Sequence, residues 1–390
     1  MPPSPLVLHN FHICLPRYYG THEQTVQWLA AAHAQSEATS RKDPGFDQGA
    51  FRRQMERHIR RFGPTPQALG GRRSDIGEFL DERFEDKRLF PLHRRPEGET
   101  LSARMDAFAE MADRVFEELY SHEDASKPVK EPPPDELLHV TCTGYASPSA
   151  GQKLIEQLKW HERTHLTHIY HMGCYASLPA MRVAAGFLAS SSSPQTRCDL
   201  VHTEICTLHL NPLRHDAEQL VVQSLFADGY IRYSLSQSPG TSGGFAVLGF
   251  LERLIPNSLE DIGWIPGDFG MRMTLSRHVP DKIALVLEPF LTALAAECGC
   301  SRDDLREAVY AVHPGGPRIL DKVGEWLKLA PPQLAASREI LFERGNMSSA
   351  TLPHIWERLL KNPETRPGSL VVSLAFGPGL TIYGSLMRCL

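Results

Sequence analysis

No stretch of this 390-residue chain comes near the roughly 20 consecutive apolar residues a helix needs to cross a bilayer, so no membrane span is expected. Excess positive charge is missing too. Lys and Arg number 41 against 46 Asp and Glu, a formal charge of −5, which argues against a nucleic-acid partner, since such binders usually show a basic face. Metal-site spacing is also lacking. The eight cysteines are scattered, and their one close pair, Cys298-Gly299-Cys300, has no second pair to complete a zinc site, so no metal is expected. Met1-Pro2-Pro3-Ser4-Pro5 lacks a basic region followed by a long apolar core, so no signal peptide is expected. No short-period repeat is visible. What is left is 42% apolar and 22% charged, the composition of a globular enzyme with mostly reduced, buried thiols, and a cytoplasmic location is expected.

Buried strands and amphipathic helices alternate along the chain. Strands are predicted at residues 6–15, 137–142, 166–172, 200–210, 245–251, 308–313, 369–376 and 380–387. Helices are predicted at 21–38, 48–62, 101–122, 150–160, 282–296, 317–329, 332–344 and 351–360, with a helix also opening near Ala176. Residues 121–136 read as a polar loop, Ala227-Asp228-Gly229 as a turn, and 265–276 as no single element. Such alternation implies an α/β fold with layered sheets, and two halves of similar character suggest a distant internal duplication, divided here at 1–236 and 237–390. Helix 48–62 carries Arg52, Arg53, Arg57, Arg60 and Arg61, which form either a solvated face or a phosphate-binding patch.

The chemistry centres on His171-Met172-Gly173-Cys174-Tyr175-Ala176, where a cysteine lies between a predicted strand and a predicted helix. Unpaired N–H groups and the dipole at a helix N-terminus favour the thiolate, which is the nucleophile. Two later strings supply partners. Val312-His313-Pro314-Gly315-Gly316-Pro317 places a histidine at a strand end, where ligand sites of α/β sheets lie. Gly345-Asn346-Met347-Ser348-Ser349-Ala350 places Asn346 in a tight turn after a helix. Cys, His and Asn form one known nucleophile set: the imidazole takes the thiol proton, and imidazole and amide donate to a developing oxyanion. Each residue alone has an ordinary structural use, as core thiol, satisfied polar group or helix cap.

These strings, together with Ala375-Phe376-Gly377-Pro378-Gly379-Leu380-Thr381, resemble the type III polyketide synthases of the chalcone and stilbene synthase superfamily. The resemblance covers nearly the whole chain and is strongest from about residue 140 onward. Ala375 stands where the family's loop normally begins with Gly. Val140-Thr141-Cys142-Thr143-Gly144-Tyr145 and His202-Thr203-Glu204-Ile205-Cys206 look more like bacterial alkylresorcinol and alkylpyrone synthases than like plant chalcone synthases. The resemblance implies a thiolase fold, a five-layered αβαβα core made of two similar halves, working as a homodimer.

It also implies roles. Cys174 would take the starter acyl group from an acyl-CoA, while His313 and Asn346 would promote malonyl-CoA decarboxylation. Phe226 matches one gatekeeper aromatic. The second falls at Met273, so that aromatic is lost and room for a long apolar starter is expected. Cys142, Phe376 and Ser348 would line the substrate cavity, with Phe226 and Phe376 keeping it dry. Arg57, Arg60, Arg61 and Gly315 would meet coenzyme A. No metal or redox cofactor is implied.

Three rivals remain at this stage. A single-condensation ketosynthase or acyltransferase would use the same fold and residues. A papain-like protease shares Cys, His and Asn but not its own cysteine signature. His161, His165, His168 and His171 would stack as a metal site if residues 166–172 were helical; a strand reading, with its period of two, opposes this.

Overall fold

The computed structural model describes residues 5–121, 132–237 and 243–390, so the readings made on the first four residues and on most of the polar stretch 121–136 lie outside the described residues. Helix starts are written into the sequence as side-chain caps. Thr21 accepts from the Gln24 N–H while the Gln24 amide oxygen accepts from the Thr21 N–H, and Asp47, Thr100, Ser149 and Asp216 accept from an N–H three residues on. In chain order the N-terminal part contains strands β1 (Leu6–Cys14) and β2 (Tyr18–Thr21), helices α1 (His22–Arg41) and α2 (Gln48–Phe62), and β3 (Gly71–Ser74). It continues with α3 (Leu101–Tyr120), β4 (Glu136–Thr141), α4 (Ala150–Gln157), β5 (His165–Tyr170), α5 (Ser177–Ser190), β6 (Arg197–Ile205), α6 (Ala217–Leu225) and β7 (Asp228–Ser236). After it come β8 (Phe245–Leu254), β9 (Ile262–Gly267), β10 (Gly270–Leu275), α7 (Val279–Glu297), β11 (Val309–Val312), α8 (Pro317–Leu327), α9 (Ala335–Arg344), α10 (Thr351–Lys361), β12 (Leu370–Gly377) and β13 (Thr381–Cys389).

Nine strands form one sheet in the order β11-β12-β13-β8-β1-β7-β6-β4-β5. A short ladder, Leu6–Leu8 of β1 against Phe245–Val247 of β8, joins the strands of the two halves. The two-residue period of the strands then sorts their side chains into layers. Leu138 and Val140 of β4, with Val371 and Ala375 of β12, face a central core around α5 and α10. Leu137 and Val201 face an outer core under α1, α3 and α4, while Val372, Leu374 and Phe376 face another under α7 and α8. Helices thus cover both outer faces and fill the space between the two half-sheets, which is the five-layered αβαβα arrangement of the thiolase fold.

Two expectations need correction. The strand expected to reach residue 210 ends at Ile205 and turns into a short 3₁₀ segment, Cys206–His209. Residues 227–229 are not a surface turn: Asp228 begins β7, a strand buried along its whole length. The Asp-Gly pair misleads because the Asp228 carboxylate is an interior acceptor, taking hydrogen bonds from the Thr207 N–H and hydroxyl and from the Asp75 N–H. The stretch read as no single element is indeed two: residues 262–275 form the β9–β10 hairpin, whose Trp264 lies opposite Met273.

Candidate active site

β5 ends at Tyr170, and the chain then needs two left-handed residues, His171 (φ 63°) and Gly173 (φ 87°), to deliver Cys174 into a turn before α5. A Cβ on Gly173 would stand 2.5 Å from the Pro378 ring, and one on Gly377 would stand 1.9 Å from the Tyr175 ring. The cysteine turn and the Gly377-Pro378-Gly379 turn are therefore nested, which explains why both strings carry glycine there. Gly173 donates its N–H to Cys142 Sγ at 2.9 Å. α5 itself starts three residues past Cys174, at Ser177. The expected helix-terminus effect is outweighed: burial pushes the Cys174 thiol up to about 12, against the opposing pull of the neighbouring Ser348 and Asn346 side chains.

His313 extends the parallel ladder of β11, donating its N–H to Leu374 O at 2.8 Å before the Gly315-Gly316 turn into α8. Burial holds its ring neutral, down to about 3, and neither ring nitrogen has a partner. Asn346 is pinned by its backbone instead. Its N–H donates to Leu225 O at 3.1 Å, its C=O accepts from Ala227 N at 2.8 Å, and its side-chain oxygen accepts from Ser348 N at 2.9 Å. This fixes the amide's orientation and leaves its buried N–H₂ without a partner. Buried polar groups are normally paired. Here three orphans, both His313 nitrogens and the Asn346 amide nitrogen, face one space.

That space is a cavity of about 710 Å³, mouth included. Cys174, His313, Asn346, Cys142, Phe226, Met273, Phe376, Ser348 and Gly315 all line it, so nine sequence-predicted residues from distant parts of the chain meet in one place. Arg57, Arg60 and Arg61 do not line it; they are exposed on α2, and Arg60 is engaged by Glu23 and Glu56 at 2.7 and 2.8 Å. The C-terminal end of α2 still lies close to the end of α6 that precedes Phe226, since a Cβ on Gly63 would stand 2.6 Å from the Ser224 hydroxyl.

Sequence reasoning missed Trp264. Its indole N–H donates to Cys142 O at 2.7 Å, and its ring stands between this cavity and a second one of about 410 Å³ reaching His209, Leu210 and Val222. Cys206, Phe226 and Met273 complete the partition. Trp264 lies directly across the hairpin from Met273, so an aromatic ring borders the cavity beside that methionine. A one-sequence signal existed, an aromatic in register with the lost one, but only once the hairpin pairing was known.

His165 and His168 lie on β5 and so do not stack as on a helix; among the described residues no group of three His, Cys, Asp or Glu side chains is placed to hold a metal. Nor is any described helix long and apolar enough to cross a membrane.

Comparison with known proteins follows the same geometry. Family models for the N-terminal and C-terminal domains of chalcone and stilbene synthases match residues 94–235 and 249–390. The chain is 31% identical over 258 residues to type III polyketide synthase C of Arabidopsis thaliana, and 32% identical over 255 residues to 1,3,6,8-tetrahydroxynaphthalene synthase of Streptomyces coelicolor. Each alignment spans 65% of this chain and 66% of the relative. An alignment with probable polyketide synthase 1 of Dictyostelium discoideum, 28% identical, spans 8% of that protein. Among solved structures, PKS-I of the brown alga Ectocarpus siliculosus superposes with a TM-score of 0.83 at 24% identity over 100% of both chains. The type III polyketide synthase domain of Steely1 from Dictyostelium does so at 0.78 and 20% identity over 99% of each. With both domain models matched in chain order and the Cys174, His313 and Asn346 strings gathered around one cavity, this chain belongs to the chalcone and stilbene synthase family, the type III polyketide synthases.

Proposed function

We propose that the chain loads an acyl group from coenzyme A onto Cys174 and extends it by decarboxylative condensation with malonyl-CoA. The observation that carries this reading is the set of three unpartnered nitrogens on His313 and Asn346 beside a thiol in an apolar cavity. In loading, His313 takes the Cys174 proton; the walls disfavour either charge alone, and the thiolate–imidazolium pair lets each offset the other. The thiolate adds to the starter thioester, and the departing coenzyme A thiolate takes the proton back from the His313 imidazolium. In extension, the C–C bond to the malonyl carboxylate breaks, CO₂ leaves, and the electron pair collects on the thioester oxygen. Fixed N–H donors of His313 and Asn346 hold that charge in a site with little water. The enolate carbon attacks the Cys174-bound acyl group, and Cys174 thiolate is expelled.

The cavity wall of Phe226, Ile262, Trp264, Met273, Leu275 and Phe376 suits an apolar starter, and the kinship of the 140–145 and 202–206 strings with bacterial members supports cyclisation to an alkylpyrone or alkylresorcinol. Arg57 and Arg61 on α2 would serve the coenzyme's phosphates from the surface. A homodimer in the cytoplasm completes the proposal; β5 is an edge strand whose outer backbone groups suit pairing with a second copy.

The test is a panel of acyl-CoA starters from short to long chain, plus an aromatic one, each with malonyl-CoA and read by mass spectrometry. Tri- or tetraketide pyrones or resorcinols from long-chain starters are expected. Reaction with the aromatic starter alone would refute the chain-length reading, and products stopping after one extension would move the assignment to a single-condensation enzyme. Trp264→Ala should join the two chambers and shift preference toward longer starters, by roughly tenfold between neighbours in the panel. An unchanged product profile from that variant would show that Trp264 does not limit the cavity.

A further inference from the structure

We infer that Arg72 is a positioning residue for the decarboxylation site: it holds the end of α6 so that Phe226 and Asn346 keep their places. Arg72 lies on β3, buried, 7% exposed. One guanidinium nitrogen donates to Gln223 O at 2.6 Å and to Phe226 O at 2.5 Å. In a continuing helix the Gln223 carbonyl would receive the Ala227 N–H, four residues on. That N–H is diverted instead to Asn346 O, and the Asn346 N–H goes to Leu225 O. The diversion is what brings Phe226 and Asn346 side by side as an isolated parallel bridge. It leaves helix-end carbonyls without their natural donors, and leaving such groups unpaired in the interior is costly.

Arg72 meets that need twice over. It supplies the missing hydrogen bonds, and it places a cation at the negative end of the α6 dipole. Burial lowers it to about 10, with Asp228 opposing, so it remains charged at neutral pH. No carboxylate forms an ion pair with it among the described residues; backbone carbonyls are its partners. The surrounding packing is consistent with a brace. A Cβ on Gly345, the residue before Asn346, would stand 2.9 Å from Leu225 O and 3.6 Å from Arg72 Cβ, and Gly70 donates its N–H to Phe342 O in α9. β3 therefore grips both chain segments that meet at the gate. Cys174, carried by the β5–α5 turn, is not held by it.

This inference rests on the proposed condensation activity, and its test separates the two. Arg72→Ala is expected to lower kcat and the rate of malonyl-CoA decarboxylation by about 100-fold, the loss that a misplacement of catalytic groups by about 1 Å can cause. KM for malonyl-CoA and the rate at which iodoacetamide alkylates Cys174, whose thiol Asn346 pulls down only in part, should both stay within a few-fold. The outer side of Arg72 lines a depression of about 840 Å³ rimmed by exposed Tyr19 and Leu80, so guanidinium at non-denaturing concentration should enter and restore part of the lost kcat. Arg72→Lys, which keeps the charge but not the fork, should lose about tenfold and decides the matter if the alanine variant does not fold. Wild-type kcat in a folded Arg72 variant would overturn the inference, as would a parallel loss of Cys174 alkylation. A wild-type protein inactive with every starter would instead remove the functional reading itself.

Discussion

Cys174→Ala should abolish polyketide formation, by at least about 10⁴-fold, while the protein still folds and still decarboxylates malonyl-CoA. The size follows from removing a covalent nucleophile that nothing else in the cavity can replace. Cys142 and Cys206 also line this region, but both are buried and both thiols are pushed well above the ordinary range by that burial, with Glu204 adding to it. Cys142 Sγ is further occupied by the Gly173 N–H. Stability should change little, because alanine keeps the Cβ and loses only a sulfur that already borders a cavity. Decarboxylation should persist because the donors proposed for it, His313 and Asn346, come from the other half of the chain. Two measurements check this: product by mass spectrometry, and acetyl-CoA released from malonyl-CoA without a starter. Full product from the variant would end the assignment of Cys174, and loss of acetyl-CoA release in a folded variant would end the division of labour.

His313→Ala is expected to damage both stages. For decarboxylation it removes the neutral N–H donor proposed to hold the developing enolate, worth about 10²–10³ in rate. For loading it removes the only predicted acceptor of the Cys174 proton. A thiol that burial pushes up to about 12 carries almost no thiolate at neutral pH unless a neighbour takes the proton. Alkylation of Cys174 by iodoacetamide at pH 7 should therefore fall by about 100-fold in the variant and recover as pH rises toward the thiol's own range. Both ring nitrogens are unpartnered in the present structure, so the substitution strands no hydrogen-bond partner and the fold should survive. Equal alkylation rates for the variant and the wild type at pH 7 would show that His313 does not serve the thiol. Unchanged acetyl-CoA release would show that it does not serve the enolate.

Much of the architecture was legible in the sequence because local patterns carry it. The helix expected at 48–62 spans those residues, and the apolar runs at 137–142, 308–313 and 369–376 are buried strands. Periodicity and capping residues act within a few positions, so one chain displays them. Errors fell where a long-range partner overrides local chemistry. Asp228 reads as a turn residue because its interior donors, Thr207 and Asp75, are distant in sequence. The β9–β10 hairpin was illegible because its strands lie half-exposed, without the clean alternation that a buried face imposes.

The same division runs through the site. The sequence by itself determined which residues are at issue, since Cys174, His313, Asn346 and the Gly377-Pro378-Gly379 turn occur as short strings whose spacing a reader can match. Tertiary structure alone decided how they behave. Burial makes the His313 ring neutral and the thiol reluctant, a property of walls contributed by the whole chain. Register across a hairpin puts Trp264 beside Met273 at the cavity wall. The end of a helix, robbed of a donor by Asn346, calls for Arg72 from a strand far earlier in the sequence. Residue identity is local information, whereas desolvation, register and hydrogen-bond satisfaction depend on which distant segments meet.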